Sequence, residues 1–265
     1  MISGAIDSLD RWRLFTLNSN RGMSKTSTSS CIPCAVVAPS SHWAGLALSM
    51  LLAATATGAG AQVNFGRASP SAATRNVADW VAQSNDHGQS SFVIIDKRAA
   101  TMYVFDARAR LKGSSPILLG AASGDDTVPG IGDRPLAQVL PHEKTTPAGR
   151  FVAEHGRNTN GEDIVWVDYE AAVSMHRVRA SVPSERRLQR LASGTAGDNR
   201  ISFGCINVPR AFYETQLSPA MADKQSIVYI LPEQKSLKEI FGPGVAEVRS
   251  VDRKSATKAA AARSG

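Results

Sequence analysis

From Phe92 onward the chain is a succession of short β-rich runs separated by polar or glycine-containing turns, with no long helix between them. "FVIID" and "TMYVFD" flank a polar "KRAA", the pattern of a β-hairpin, and "PILLGAAS" reads as a third strand after a Gly-Ser turn. "RFVAEHG", "DIVWVDY", "AAVSMHRV" and "SIVYILP" supply further strands. A doubly wound parallel sheet needs a helix long enough to cross back between successive strands, and this texture excludes one. The expected fold is mainly β, a sandwich or barrel with short helices, over residues 91–232. Helical pieces are expected near Val77 to Ala82, near Leu136 to Leu140, and in "SERRLQRLAS", where Leu188 and Leu191 stand three apart among charges. Another is expected after Pro209, a residue suited to a helix N-terminus.

The flanks differ in composition. Residues 1–61 read as a signal peptide: an uncharged Ala/Leu-rich run starts at about Trp43 and ends in Ala59-Gly60-Ala61, with Arg11, Arg13, Arg21 and Lys25 ahead of it. The basic region is over-long from Met1 and of ordinary length from Met23, which suggests Met23 as the true start. A single membrane anchor is the competing reading, but the run is short and rich in small residues for a span of about 20 apolar residues. Cleavage therefore leaves no stable membrane span and places the protein outside the cytoplasm, in the periplasm or cell envelope. Residues 62–90 are polar and small and read as a flexible arm or linker, and 233–265 as a flexible, basic, Ala-rich tail. The net charge of +7 suits anionic surroundings. No nucleic-acid recognition motif accompanies it, so nucleic acid is not an expected partner.

Of three cysteines, Cys31 and Cys34 lie in the leader, so the mature chain keeps Cys205 alone, in "ISFGCINVP". A cysteine attacks as thiolate and needs a base or a positive field beside it. Among five histidines, His42 leaves with the leader, His87 is in the polar arm, and His142 and His155 are in Gly-rich loops. His176, in "SMHRV", ends a strand-like run, where a rigid element can aim a ring; only the fold could bring it to Cys205. Gly204 lets backbone N–H groups approach a reacting carbonyl, Ser202 can hold the turn, and Asn207 can present an amide to a peptide. A buried, inert cysteine is the competing reading. The histidines are scattered, and the one Cys-x2-Cys pair, Cys31 and Cys34, lies upstream of the apolar run without a second ligand pair, so no metal is expected.

"SFGCIN", the upstream "MH" and "KTTPAGRF" together resemble the L,D-transpeptidase catalytic domain of the YkuD type. That family carries a distant His, then Ser/Thr-His-Gly-Cys-hydrophobic-Asn/Arg, and a Thr-Pro-x-Gly-x-Phe stretch that Thr146 to Phe151 matches. The resemblance covers about residues 91–232 and implies a β-sandwich-like domain. In it, Cys205 attacks the carbonyl of the L-centre of diaminopimelate in a peptidoglycan stem peptide, with His176 as base. It also implies an oxyanion hole of N–H groups near Gly204 and Cys205, support from Ser202 and Asn207, and a ring-orienting carbonyl at Arg177. Phe203 replaces the second histidine usual in the family. The His-to-Cys interval is also longer, the excess forming a charged excursion over 179–200 that would act as a lid. The implied partners are stem peptides, with another stem peptide, a wall-linked lipoprotein lysine, a free D-amino acid or water as acceptor; such a donor carries its own leaving group, so the resemblance implies no cofactor. Water would make the chain an L,D-carboxypeptidase or endopeptidase, and a dead site would make it a wall-binding protein.

Overall fold

In the computed structural model, which describes residues 62–222 and 225–245, the opening hairpin is β1 (Phe92–Asp96) paired antiparallel with β2 (Thr101–Phe105). Every side chain of β1 is buried, because the strand lies between two apolar clusters. Val93 and Ile95 enter one cluster and Phe92 and Ile94 the other, as the period of two requires. The remaining strands are β3 (Leu111–Pro116), β4 (Leu119–Gly120), β5 (Gly149–Arg157), β6 (Asp163–Asp168), β7 (Val173–Arg177), β8 (Arg200–Ser202), β9 (Ile206–Val208) and β10 (Ser226–Ile230). Eight of them form one mixed sheet in the order β3-β2-β1-β10-β5-β6-β7-β9, and β4 pairs β8 in a small parallel ladder. Val104 of β2 shares a cluster with Met175 of β7 and Val208 of β9 from the far end of the sheet. The sheet therefore curls around one core, and the mainly β, sandwich-like expectation is met by a single curved sheet.

The second core lies on the outer face. Helix α1 (Ala72–Ser84) is capped by the Ser71 side chain, which accepts from the Thr74 N–H, and buries Val77, Ala78 and Val81. The Ser71 and Thr74 hydroxyls both donate to Asp96 Oδ2, at 2.6 and 3.0 Å, fixing the helix to the end of β1. Phe65 packs edge-on against Tyr103 and Phe105. The stretch 62–90, expected to be a flexible arm, is therefore part of the packed domain. At the other end, Leu237 of α5 (Leu237–Phe241) and Val245 are buried in the same outer cluster, so the fold continues past Pro232. A third difference concerns β3: the strand beside β2 is "LKGSSP", expected as a turn, whereas "PILLGAAS" gives only the two-residue β4. β3 is an edge strand, and its mixed burial leaves little hydrophobic signal.

The remaining helices are short: α2 (Arg187–Ala192), then α3 (Arg210–Phe212), which widens over Tyr213–Leu217 and continues as α4 (Ser218–Ala220). Near Leu136 there is one tight turn of helix, Leu136–Gln138. Among the described residues no helix is long and apolar enough to cross a membrane. The leader with its cleavage site, the Met23 start, Cys31 and Cys34, and the tail beyond Val245 lie outside the described residues.

Candidate active site

Strand register explains how His176 and Cys205 meet. β7 and β9 run parallel and adjacent, with Met175 opposite Ile206 and His176 opposite Asn207. Val173, Met175, Ile206 and Val208 all point into the inner core. Alternation sends Ser174, His176, Cys205 and Asn207 to the opposite face, and carrying the register back one step sets Cys205 beside Ser174. The Ser174 hydroxyl lies 3.6 Å from Cys205 Sγ, and the thiol donates to the Ala172 carbonyl at 3.4 Å. Cys205 as a residue is half-buried, and its sulfur is held between these two groups.

His176 Nδ1 lies 2.8 Å from the Arg177 carbonyl oxygen. A carbonyl can only accept, so Nδ1 carries the proton and, in the neutral ring, Nε2 keeps a free lone pair. Burial pushes the Cys205 thiol up. Hydrogen bonding and charge from His176, with the Ser174 backbone and hydroxyl, act against it and hold the thiol below its ordinary value. The net direction favours a thiolate in a partly desolvated place, the condition a nucleophilic cysteine requires. Arg177 itself faces away from this chemistry: its guanidinium pairs with Asp163 and Glu214 and lies 4.3 Å over the Tyr213 ring. It fixes the end of β7 to its neighbours, and with it the carbonyl that orients His176.

The turn before Cys205 is clasped from two sides. Ser202 Oγ accepts from the Gly204 N–H at 3.1 Å and donates to the Cys205 carbonyl at 2.6 Å. Thr146 Oγ1 donates to the Gly204 carbonyl at 2.8 Å and accepts from the Gly120 N–H at 2.9 Å. Gly204 has φ +130°, and a Cβ there would lie 2.8 Å from the Thr145 carbonyl oxygen, so both conformation and space require glycine. The Thr-Pro stretch thus abuts the cysteine turn directly. Behind it, the Lys97 ammonium is buried and donates to the Thr146 carbonyl at 2.8 Å, to Gly124 O at 2.5 Å and to Asp125 at 2.8 Å. Asp125 also accepts from the N–H groups of Glu233, Gln234 and Lys235.

Three expectations about site residues change. The Gly204 N–H, expected among the oxyanion donors, is occupied by the Ser202 hydroxyl. Asn207 offers no amide to a substrate, because its side chain is buried, donating to the Cys205 carbonyl at 3.3 Å and accepting from Arg187 at 2.5 Å. The excursion 179–200 is pinned rather than free as a lid: Arg187 reaches Asn207, Asn199 donates to the Ile117 carbonyl, and Leu191 is buried. Phe203 is 40% exposed, with the Lys144 ammonium 4.0 Å from its ring centre. His87, His142 and His155 take no part. His87 is buried against Phe92, and His155 lies 3.1 Å from the Ser218 carbonyl. Among the described residues no three His, Cys, Asp or Glu side chains are grouped to hold a metal.

Sequence reasoning missed Ser174, Arg187 and Lys144. Ser174 was accessible to it, since Ser-x-His in one strand puts both side chains on one face. Lys144 opens the quoted "KTTPAGRF" stretch and Arg187 lies in the excursion 179–200, but nothing in either stretch marks which of its side chains reaches Phe203 or Asn207.

No protein-family model matches the sequence, and no curated protein matches it. Among its structural neighbours are L,D-transpeptidase domains. The catalytic domain of the E. faecium L,D-transpeptidase aligns at 17% identity and a TM-score of 0.30, over 54% of this chain and 98% of that one. LdtMt1, an L,D-transpeptidase solved in complex with imipenem, aligns at 18% identity and a TM-score of 0.32, over 54% of this chain. The helical cell shape determining protein Pgp2 from Campylobacter jejuni aligns at 14% identity and a TM-score of 0.37, over 59% of this chain. The chain spans 59% of LdtMt1 and 55% of Pgp2, less than two thirds of either. At these identities and scores the functional reading rests on the geometry of the site itself.

Proposed function

We propose that the protein is an exported peptidoglycan L,D-transpeptidase in which Cys205 is the nucleophile and His176 its base. The observation that carries this reading is the bond of His176 Nδ1 to the Arg177 carbonyl, which leaves Nε2 to take the thiol proton of a Cys205 already held below its ordinary value. The thiolate attacks the carbonyl carbon at the L-centre of diaminopimelate, and the Cys205 N–H supports the developing oxyanion. As the bond to the terminal D-Ala nitrogen breaks, the His176 imidazolium returns its proton to the departing amine. The resulting thioester is attacked by an acceptor amine, which loses a proton to His176 while the thiolate leaves and a new amide forms. Ser202 and Thr146 hold the turn in place through both steps, and no group beyond these side chains and the two peptides enters the balance.

The test is to incubate the purified protein with a disaccharide-tetrapeptide containing diaminopimelate, beside Cys205→Ala and His176→Ala, and to analyse products by mass spectrometry. The expected result is a cross-linked dimer, absent with Cys205→Ala and slowed by about 10²–10⁴-fold with His176→Ala. A shortened monomer in place of the dimer would make the protein a hydrolase acting on the same bond. No product and no acyl group on Cys205 would overturn the reading and leave a wall-binding role.

A further inference from the structure

The Lys144 ammonium rests 4.0 Å from the centre of the Phe203 ring, beside the nucleophile turn. The segment that carries it touches that turn directly, since the Thr145 carbonyl oxygen fills the space a Gly204 side chain would need. Glu143, next to Lys144 in sequence, is engaged by Arg134, and on the loop whose Asp126 carbonyl accepts from Thr145, Asp125 is engaged by Lys97 and Asp126 by Lys235. No carboxylate among the described residues pairs with Lys144. An ammonium has three N–H donors, and a ring face satisfies only the side turned towards it. Phe203 thus holds a cation at the rim of the site with donors left over, two residues from Cys205.

We propose that Lys144, held by Phe203, is a specificity residue that takes the free carboxylate of the donor's terminal residue. The inference rests on the transpeptidase reading and adds to it the residue that reads the donor's free terminal carboxylate, one residue beyond the attacked carbonyl. In an extended peptide that carboxylate lies about 3.5 Å further along the chain than the scissile carbon, a separation a lysine side chain on the neighbouring segment spans. Phe203 is then a replacement with a purpose of its own, because an aromatic face steadies an ammonium and a protonated imidazole would repel it.

The test measures the rate of Cys205 acylation by intact-protein mass spectrometry with three tetrapeptide donors. One is unmodified, one is amidated at the terminal D-Ala, and one is amidated at the side-chain carboxylate of diaminopimelate. The wild-type protein is expected to prefer the unmodified donor over the terminal amide by about tenfold, the ratio one charge-assisted hydrogen bond supplies. Lys144→Met should bring that ratio close to one, Lys144→Arg should keep most of it, and added salt should shrink it. Acylation of wild type at equal rates by the unmodified donor and the terminal amide would overturn this inference alone. So would a preference that follows the diaminopimelate carboxylate, or a ratio that survives Lys144→Met. No acylation by any donor would overturn the proposed function and this inference with it.

Discussion

Replacing Thr146 by valine removes one hydroxyl and keeps the shape of the side chain. In the native turn that hydroxyl serves the Gly204 carbonyl and the Gly120 N–H at once, and Thr146 is fully buried. Gly120 and Gly204 are buried as well, so neither backbone group can turn to water instead. Leaving a buried polar group without a partner costs about 1–3 kcal/mol, so two such groups put the loss at about 2–6 kcal/mol. For a domain of this size that lowers the melting temperature by roughly 5–25 °C. Urea denaturation should show a lower midpoint with an unchanged slope. Thr146→Ser keeps both bonds and should cost about 1 kcal/mol or less. The valine protein should also acylate Cys205 more slowly at temperatures where it is still folded, because the Gly204 carbonyl is half of the clasp that sets the cysteine. A Thr146→Val protein within about 0.5 kcal/mol of wild type, a change typical of neutral surface substitutions, would refute the reasoning.

Two further outcomes follow from the same geometry. Burial raises the Asp125 carboxyl, but Lys97 and three backbone N–H groups overcome it and bring its pKa down to about 2. A folded-state pKa below the unfolded one contributes stability that is present above about pH 4 and is lost as the pH falls towards 2. Asp125→Asn should flatten that acid limb in a pH series of melts, and at neutral pH should cost about 3 kcal/mol by leaving Lys97 short of charge. Arg187→Met removes the donor at Asn207 Oδ1 and frees the excursion 179–200 from the end of β9. It should lower kcat for dimer formation by several-fold and raise protease cleavage within 179–200, whereas Arg187→Lys should restore part of both.

Much of the site was legible because its chemistry is carried by residue type and local pattern. The hairpin "FVIIDKRAATMYVF" shows its turn and its apolar strands, and the strand ending in Met175-His176 shows alternation. The lone Cys205 beside Gly204 stands out once the leader is set aside. What was not legible depends on contacts across the chain. Lys97 reads as part of a polar turn, yet it is buried because Asp125 and the Gly124 and Thr146 carbonyls, from a distant loop, enclose its ammonium. Asn207 reads as a substrate ligand because nothing nearby in sequence shows Arg187 arriving from an irregular excursion. The stretch 62–90 reads as a linker because Phe65, Val77 and Val81 are spread thinly among small polar residues. They are core only because the outer faces of β1 and β2 wait to be covered. β3 escapes notice because an edge strand carries little of the core.

The central claim is that His176 sets the ionisation of Cys205. It is tested by the rate of alkylation of the Cys205 peptide as a function of pH, read by mass spectrometry, in wild type and in His176→Ala. The interaction with His176 offsets the effect of burial, so the wild-type profile should rise at a midpoint below that of an ordinary thiol, about 8.5. In the alanine variant burial remains and the imidazole does not, so the midpoint should move up. Superimposable profiles would contradict the account, because Cys205 would then owe its ionisation to something other than His176.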